Sequence, residues 1–71
     1  MSYDYSLLKT AIKAKFHGQD KFAKELGIAR TSLYSKLIGL TQFKQDEIVK
    51  CAELLEIKED KIPSYFFTPK V

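Results

Sequence analysis

The tripeptide Leu26-Gly27-Ile28 separates two short amphipathic stretches, and it constrains the fold of this chain more than any other feature. Apolar side chains recur at positions 22, 23 and 26 before the glycine and at positions 33 and 37 after it. This spacing places one buried face on each of two helices. A glycine directly after a helix often adopts the positive φ that a sharp turn needs. The sequence therefore predicts a short helix, a glycine turn and a second short helix within residues 19–38.

The polar residues of the second helix bear on its function. An ordinary corner between two helices uses the same glycine and the same apolar spacing, and it is the alternative interpretation. A corner has no need of the basic and small polar residues that the outer side of this helix carries, which are Arg30, Thr31, Ser32 and Ser35. Their presence favours a helix-turn-helix, a unit whose second helix lies in the DNA major groove.

Helical patterns also occur on both sides of this unit. A four-residue repeat of apolar side chains predicts a first helix from Ser6 to about His17, capped by Asp4 or Ser6. A fourth helix is expected from about 45 to 55, with carboxylates in its first turn and an apolar stripe of Ile48, Cys51, Ala52 and Leu55. A last short turn at 58–62 precedes Pro63, and only 65–67 could form a strand. The expected fold is all-α, a small five-helix bundle that forms a single domain over residues 1–71.

Composition excludes several kinds of site. The chain has 71 residues, a formal net charge of +3, one cysteine and one histidine. One cysteine cannot form an internal disulfide, and one histidine cannot supply a multi-histidine metal site or a catalytic relay with other histidines. Cys51 is expected to be a buried packing thiol, and His17 is expected to end the first helix. We therefore expect no enzyme, no cofactor, no metal and, without a long apolar run, no membrane span.

The central unit resembles the Cro/repressor helix-turn-helix family of phage regulators through Gln19, Ala23, Leu26-Gly27-Ile28 and Leu33. The whole chain is similar to small Cro-like proteins of temperate phages of Gram-positive bacteria, including the modulators of repression of lactococcal phages. The resemblance implies a lambda-repressor-like fold. It also implies a cytoplasmic transcription regulator of a phage lysis–lysogeny switch that binds a double-stranded DNA operator.

A different mode of action remains open for the same fold. The alternative is an antirepressor that binds a partner repressor through protein–protein contacts. Position 29 is Ala, where the family usually has Ser or another N-cap residue, and Ala cannot accept a hydrogen bond from the first helical N–H groups. This substitution and the small net charge favour the alternative.

For DNA binding, each polar side chain of the unit has an expected role. Arg30 can bond guanine O6 and N7 together. Thr31, Ser32 and Ser35 can approach base edges, and Gln19 resembles the family's glutamine that reaches the DNA backbone. Tyr34 and Lys36 are expected to contact phosphates. The alternatives are a half-buried aromatic over the core for Tyr34 and a solvated surface charge for Lys36.

The chain ends with an aromatic tail from about residue 63. Three consecutive aromatic residues, Tyr65, Phe66 and Phe67, are more than so small a domain is expected to bury, so we expect part of the tail to form a partner interface. The candidate partners are a second copy in a two-fold homodimer and a phage repressor in a hetero-complex. Packing within the chain alone is the alternative.

Overall fold

Five α-helices and one 3₁₀ turn make up the part of the chain that the structure describes. A computed structural model describes residues 3–70. In chain order its helices are α1 (Ser6–Phe16), α2 (Gln19–Leu26), α3 (Arg30–Leu37), α4 (Gln45–Leu55) and α5 (Ile62–Phe66), with the 3₁₀ turn at Glu59–Lys61. Within residues 3–70 there is no strand of a sheet, and the β-type pairing is one isolated bridge between Tyr3 and Pro69. The predicted all-α bundle of five helices is therefore confirmed.

The turn between α2 and α3 is built around Gly27. Its φ of 86° lies in the left-handed region, which a glycine adopts without steric cost. Its N–H donates to the carbonyl oxygens of Ala23 at 2.9 Å and Lys24 at 3.2 Å, and the Ile28 N–H donates to the Ala23 carbonyl at 3.0 Å. These bonds satisfy carbonyl groups that the end of α2 leaves without helical partners. The chain can therefore reverse within two residues and enter α3.

The hydrophobic core lies between α1, α2, α4 and α5, and α3 packs chiefly on α2. Leu33 and Leu37 are both buried, which confirms the predicted phase of α3. The opposite side of α3 therefore faces solvent. The other buried side chains come from the remaining helices and the N-terminal segment: Tyr5, Leu8, Ile12, Phe22, Ala23, Leu26, Cys51, Ala52 and Phe66.

The first helix begins and ends close to the predicted residues. Asp4 Oδ1 accepts the backbone N–H of Ser6 at 2.8 Å, which satisfies one of the free donors at the start of α1. The helix ends at Phe16, and His17 follows it in the left-handed conformation with a φ of 60°. Within residues 3–70, no helix combines the length and the apolar character that crossing a membrane requires.

The C-terminal segment differs from the sequence-based prediction. Pro63 does not follow the last helical turn but lies in the first turn of α5, where a missing N–H costs no helical hydrogen bond. Tyr65 and Phe66 are consequently helical, and residues 65–67, the one segment that could have formed a strand, form none. The helix lies beside the N-terminal segment, where the Asp4 N–H donates to the Thr68 carbonyl at 2.7 Å. The tail is therefore part of the bundle.

Candidate functional site

The outer side of α3 carries most of the residues predicted to contact DNA. Arg30, Thr31, Ser32 and Tyr34 are exposed, and Ser35 is half-buried. Gln19, at the start of α2, is also half-buried and lines a surface depression together with Arg30 and Tyr34. The fold thus brings these six predicted residues to one surface. That arrangement follows from the burial of Leu33 and Leu37 on the other side of the helix.

Arg30 is already engaged in an ion pair within this surface. Its Nε atom lies 2.8 Å from Oδ1 of Asp20, and both side chains are exposed to solvent. Exposed pairs of this kind are weak, so Arg30 can exchange this partner for another anion. Asp20 was not predicted as a site residue. Its proximity to Arg30 depends on how α2 and α3 cross, which the spacing of their residues does not give.

Lys36 points away from this surface. Its Nζ atom pairs with Oε1 of Glu47 in α4 at 3.6 Å, and neither side chain is substantially exposed. Neither sequence-based role for Lys36 agrees with this position, because its ammonium group is neither a free phosphate contact beside the groove nor a solvated surface charge. It instead joins α3 to α4.

Three exposed apolar residues lie in the C-terminal half of α3 and in the turn that follows it. We call them the apolar strip: Tyr34, Ile38 and Leu40, whose exposed fractions are 56%, 45% and 75%. Tyr34 and Ile38 are four residues apart and share one side of the helix end. Tyr34 therefore does not cover the core, which was its alternative role. Exposed apolar side chains that adjoin one another are typical of protein interaction sites.

The aromatic tail divides between the core and the surface. Phe66 is 1% exposed and its ring packs edge-on against Phe43 at a centroid distance of 5.3 Å. The prediction that Phe66 belongs to a partner interface is therefore wrong, because this small bundle uses the Phe66 ring as part of its core. Tyr65 is half-buried, whereas Phe67 is 46% exposed and packs edge-on against Tyr3 at 5.7 Å. Phe67 is therefore the most exposed of the three aromatic residues.

Cys51 and His17 have reactive side chains, and both lie where the sequence predicts them. Cys51 is buried in α4, and its burial, with a smaller contribution from the nearby Glu47 charge, raises the pKa of the thiol to about 12. A thiol with this pKa is protonated near neutral pH and is not a nucleophile. Its predicted packing role is confirmed. His17 follows the end of α1, as predicted.

The fold defines a small all-α bundle in which the outer side of α3 is exposed. Residues 1–69 match the family described as "Protein of unknown function (DUF739)", and the chain belongs to this family. Among curated proteins no match to the chain is found. Among solved structures it is similar to the solution structure of the modulator of repression (MOR) of the temperate bacteriophage TP901-1 from Lactococcus lactis. The two chains are 39% identical, the alignment covers 100% of this chain and 96% of that one, and the TM-score is 0.78.

Proposed function

We propose that this protein regulates a phage lysis–lysogeny switch by binding a partner repressor through the apolar strip of Tyr34, Ile38 and Leu40. The observation that carries the proposal is the exposure of this strip at the end of α3 and in the turn that follows it, next to the polar residues of the helix. Interface centres are enriched in Tyr and other large apolar side chains and depleted in charge. The similar lactococcal phage protein is a modulator of repression, which supports the same class of function here.

The electrostatics of α3 also support a protein partner. Arg30 pairs with Asp20 at the surface, and Lys36 is held by Glu47, so both cations of the helix have acidic partners within the domain. DNA affinity depends strongly on cations that neutralise phosphates. An α3 surface with paired cations and exposed apolar groups is better suited to a protein than to a polyanion.

The test is a binding measurement with a candidate phage repressor. Ile38→Asp places a charge in the apolar strip, and Val49→Asp places the same charge on an exposed apolar position of α4. We expect the Ile38 variant to lose at least about tenfold in affinity, since charge at a buried interface position is costly. The Val49 variant should bind like the unchanged protein. Equal binding by both variants, or no binding by the unchanged protein, contradicts the proposal.

Sequence-specific DNA binding is the second candidate function. Its specific support is the exposure of Arg30, Thr31 and Ser32 at the start of α3, where a helix in the major groove contacts base edges. Arg30→Ala should then remove the preference for an operator over scrambled DNA. Equal losses on both DNAs would make Arg30 a phosphate contact only, and unchanged binding to both would remove its role. Homodimer formation also stays a prediction, which light scattering of the free protein tests.

A further inference from the structure

A basic cleft lies between α1 and the start of α3. Two adjoining surface depressions form it, and both are lined by His17, Gln19 and Arg30. Their other charged lining residues are Lys9, Lys13, Lys21 and Asp20. Among these lining residues four permanent cations therefore face one carboxylate. A concave surface with this balance attracts phosphate groups, and duplex DNA presents phosphates at close spacing.

The single carboxylate of this cleft is the ion-pair partner of Arg30. Asp20 Oδ1 lies 2.8 Å from Arg30 Nε, so its negative charge stands beside the guanidinium group. A guanidinium that is paired with a carboxylate is less available to phosphate or guanine. The Asp20 charge also repels any phosphate that approaches the cleft. Both effects act at the residue best placed to bind DNA.

We propose that Asp20 weakens duplex DNA binding at this cleft by competing with DNA for Arg30, and that it thereby directs the α3 surface toward a protein partner. The part of this inference that concerns a protein partner rests on the proposed function. Asp20 is a specificity-determining residue in this scheme, since it penalises one ligand without contacting the other. Specificity commonly arises from such a penalty against the unwanted ligand.

The test compares Asp20→Asn with Glu25→Gln. Both changes remove one negative charge from α2, and Asn and Gln keep the size of the side chains they replace. Residue 25 lies about 140° around the helix from residue 20, on the side of Lys24 and away from α3. The probe is a short fluorescent duplex of random sequence, titrated at low and high salt. Thermal melting verifies that each variant is folded, and Asp20→Ser replaces the Asn variant if that variant melts early.

We expect Asp20→Asn to bind the duplex about fivefold more tightly than Glu25→Gln at low salt. This ratio corresponds to about 1 kcal/mol, which is typical of an exposed ion pair. The difference should shrink at high salt, because exposed charges are screened. In an Arg30→Ala background the gain should fall to the smaller part that comes from repulsion between Asp20 and phosphate. Equal duplex affinities for the two variants, or a full gain in the Arg30→Ala background, overturns the inference. Repressor binding is measured separately on the same proteins, so its absence refutes the proposed function without altering the DNA result.

Discussion

The Nζ atom of Lys36 lies 3.6 Å from Oε1 of Glu47, and the two side chains are only 11% and 13% exposed. The pair joins the last turn of α3 to the first turn of α4. Glu47 also accepts the backbone N–H of Lys44 at 2.8 Å, which fixes its carboxylate at the start of α4. The pair therefore links α3, whose Leu33 and Leu37 side chains pack in the core, to the beginning of α4.

We expect Lys36→Met to lower the free energy of unfolding by about 1–3 kcal/mol. Met retains most of the apolar stem, so the loss comes mainly from leaving the Glu47 carboxylate without its charged partner in a poorly solvated place. Urea unfolding measures the change. Lys50→Met, on an exposed position of α4, is the matched control and should change stability by less than about 0.5 kcal/mol. Similar shifts for the two variants would contradict the structural role of Lys36.

Acid should weaken the start of α1 through Asp4. The hydroxyl and backbone N–H of Ser6 donate to Asp4 Oδ1 and hold the pKa of this carboxyl below its ordinary value. Because the folded pKa is the lower one, the stabilisation is present above the unfolded pKa of about 3.9 and is lost as the pH falls through the folded pKa.

The stability difference between the unchanged protein and Asp4→Ala should therefore be constant from about pH 7 to pH 5 and should shrink below about pH 4. Urea unfolding at a series of pH values measures it. The exposed Asp60→Ala substitution, in the 3₁₀ turn, supplies a control for general charge effects. A difference that persists unchanged at the lowest pH would show that Asp4 does not act through its ionised form.

Cys51 should resist thiol reagents as long as the protein is folded. Burial in α4 both blocks access to Sγ and raises the thiol pKa to about 12, so almost no thiolate is present near pH 8. Labelling should therefore require opening of the bundle, and its rate should rise with urea in parallel with the unfolded fraction. Stopped labelling followed by mass spectrometry measures the rate. Rapid labelling without denaturant would mean that α4 separates from the core in the folded protein.

Local spacing predicted the helices whose buried side chains recur every four residues. Leu8 and Ile12 gave the phase of α1, and Leu33 and Leu37 gave the phase of α3, because a helix places residues four apart on one side. Both pairs are buried in the structure. Gly27 similarly predicted the turn, since its positive φ depends only on the neighbouring backbone and not on distant contacts.

The errors concern residues whose surroundings depend on distant parts of the chain. Lys36 was placed on the DNA surface because its partner, Glu47, belongs to another helix and is not apparent from the periodicity of α3. Phe66 was placed at an interface because its contact with Phe43 depends on how α5 docks. The apolar strip had a readable signal, since Tyr34 and Ile38 are four residues apart outside the buried phase of Leu33 and Leu37.

The position of Phe66 in the core predicts that the aromatic tail supports the fold more than it supports association. Phe66→Ala should lower the free energy of unfolding by about 3–5 kcal/mol, since it removes a fully buried ring. Phe67→Ala removes the neighbouring, 46% exposed ring and should lower it by less than about 1 kcal/mol. Thermal melting followed by circular dichroism compares the two.

A chain truncated after Ser64 lacks both rings and should lose its helical signal at room temperature, because a domain of this size has a small free energy of unfolding. Full helicity in the truncated chain would show instead that α1 to α4 fold without α5 and that the tail is free to serve a partner.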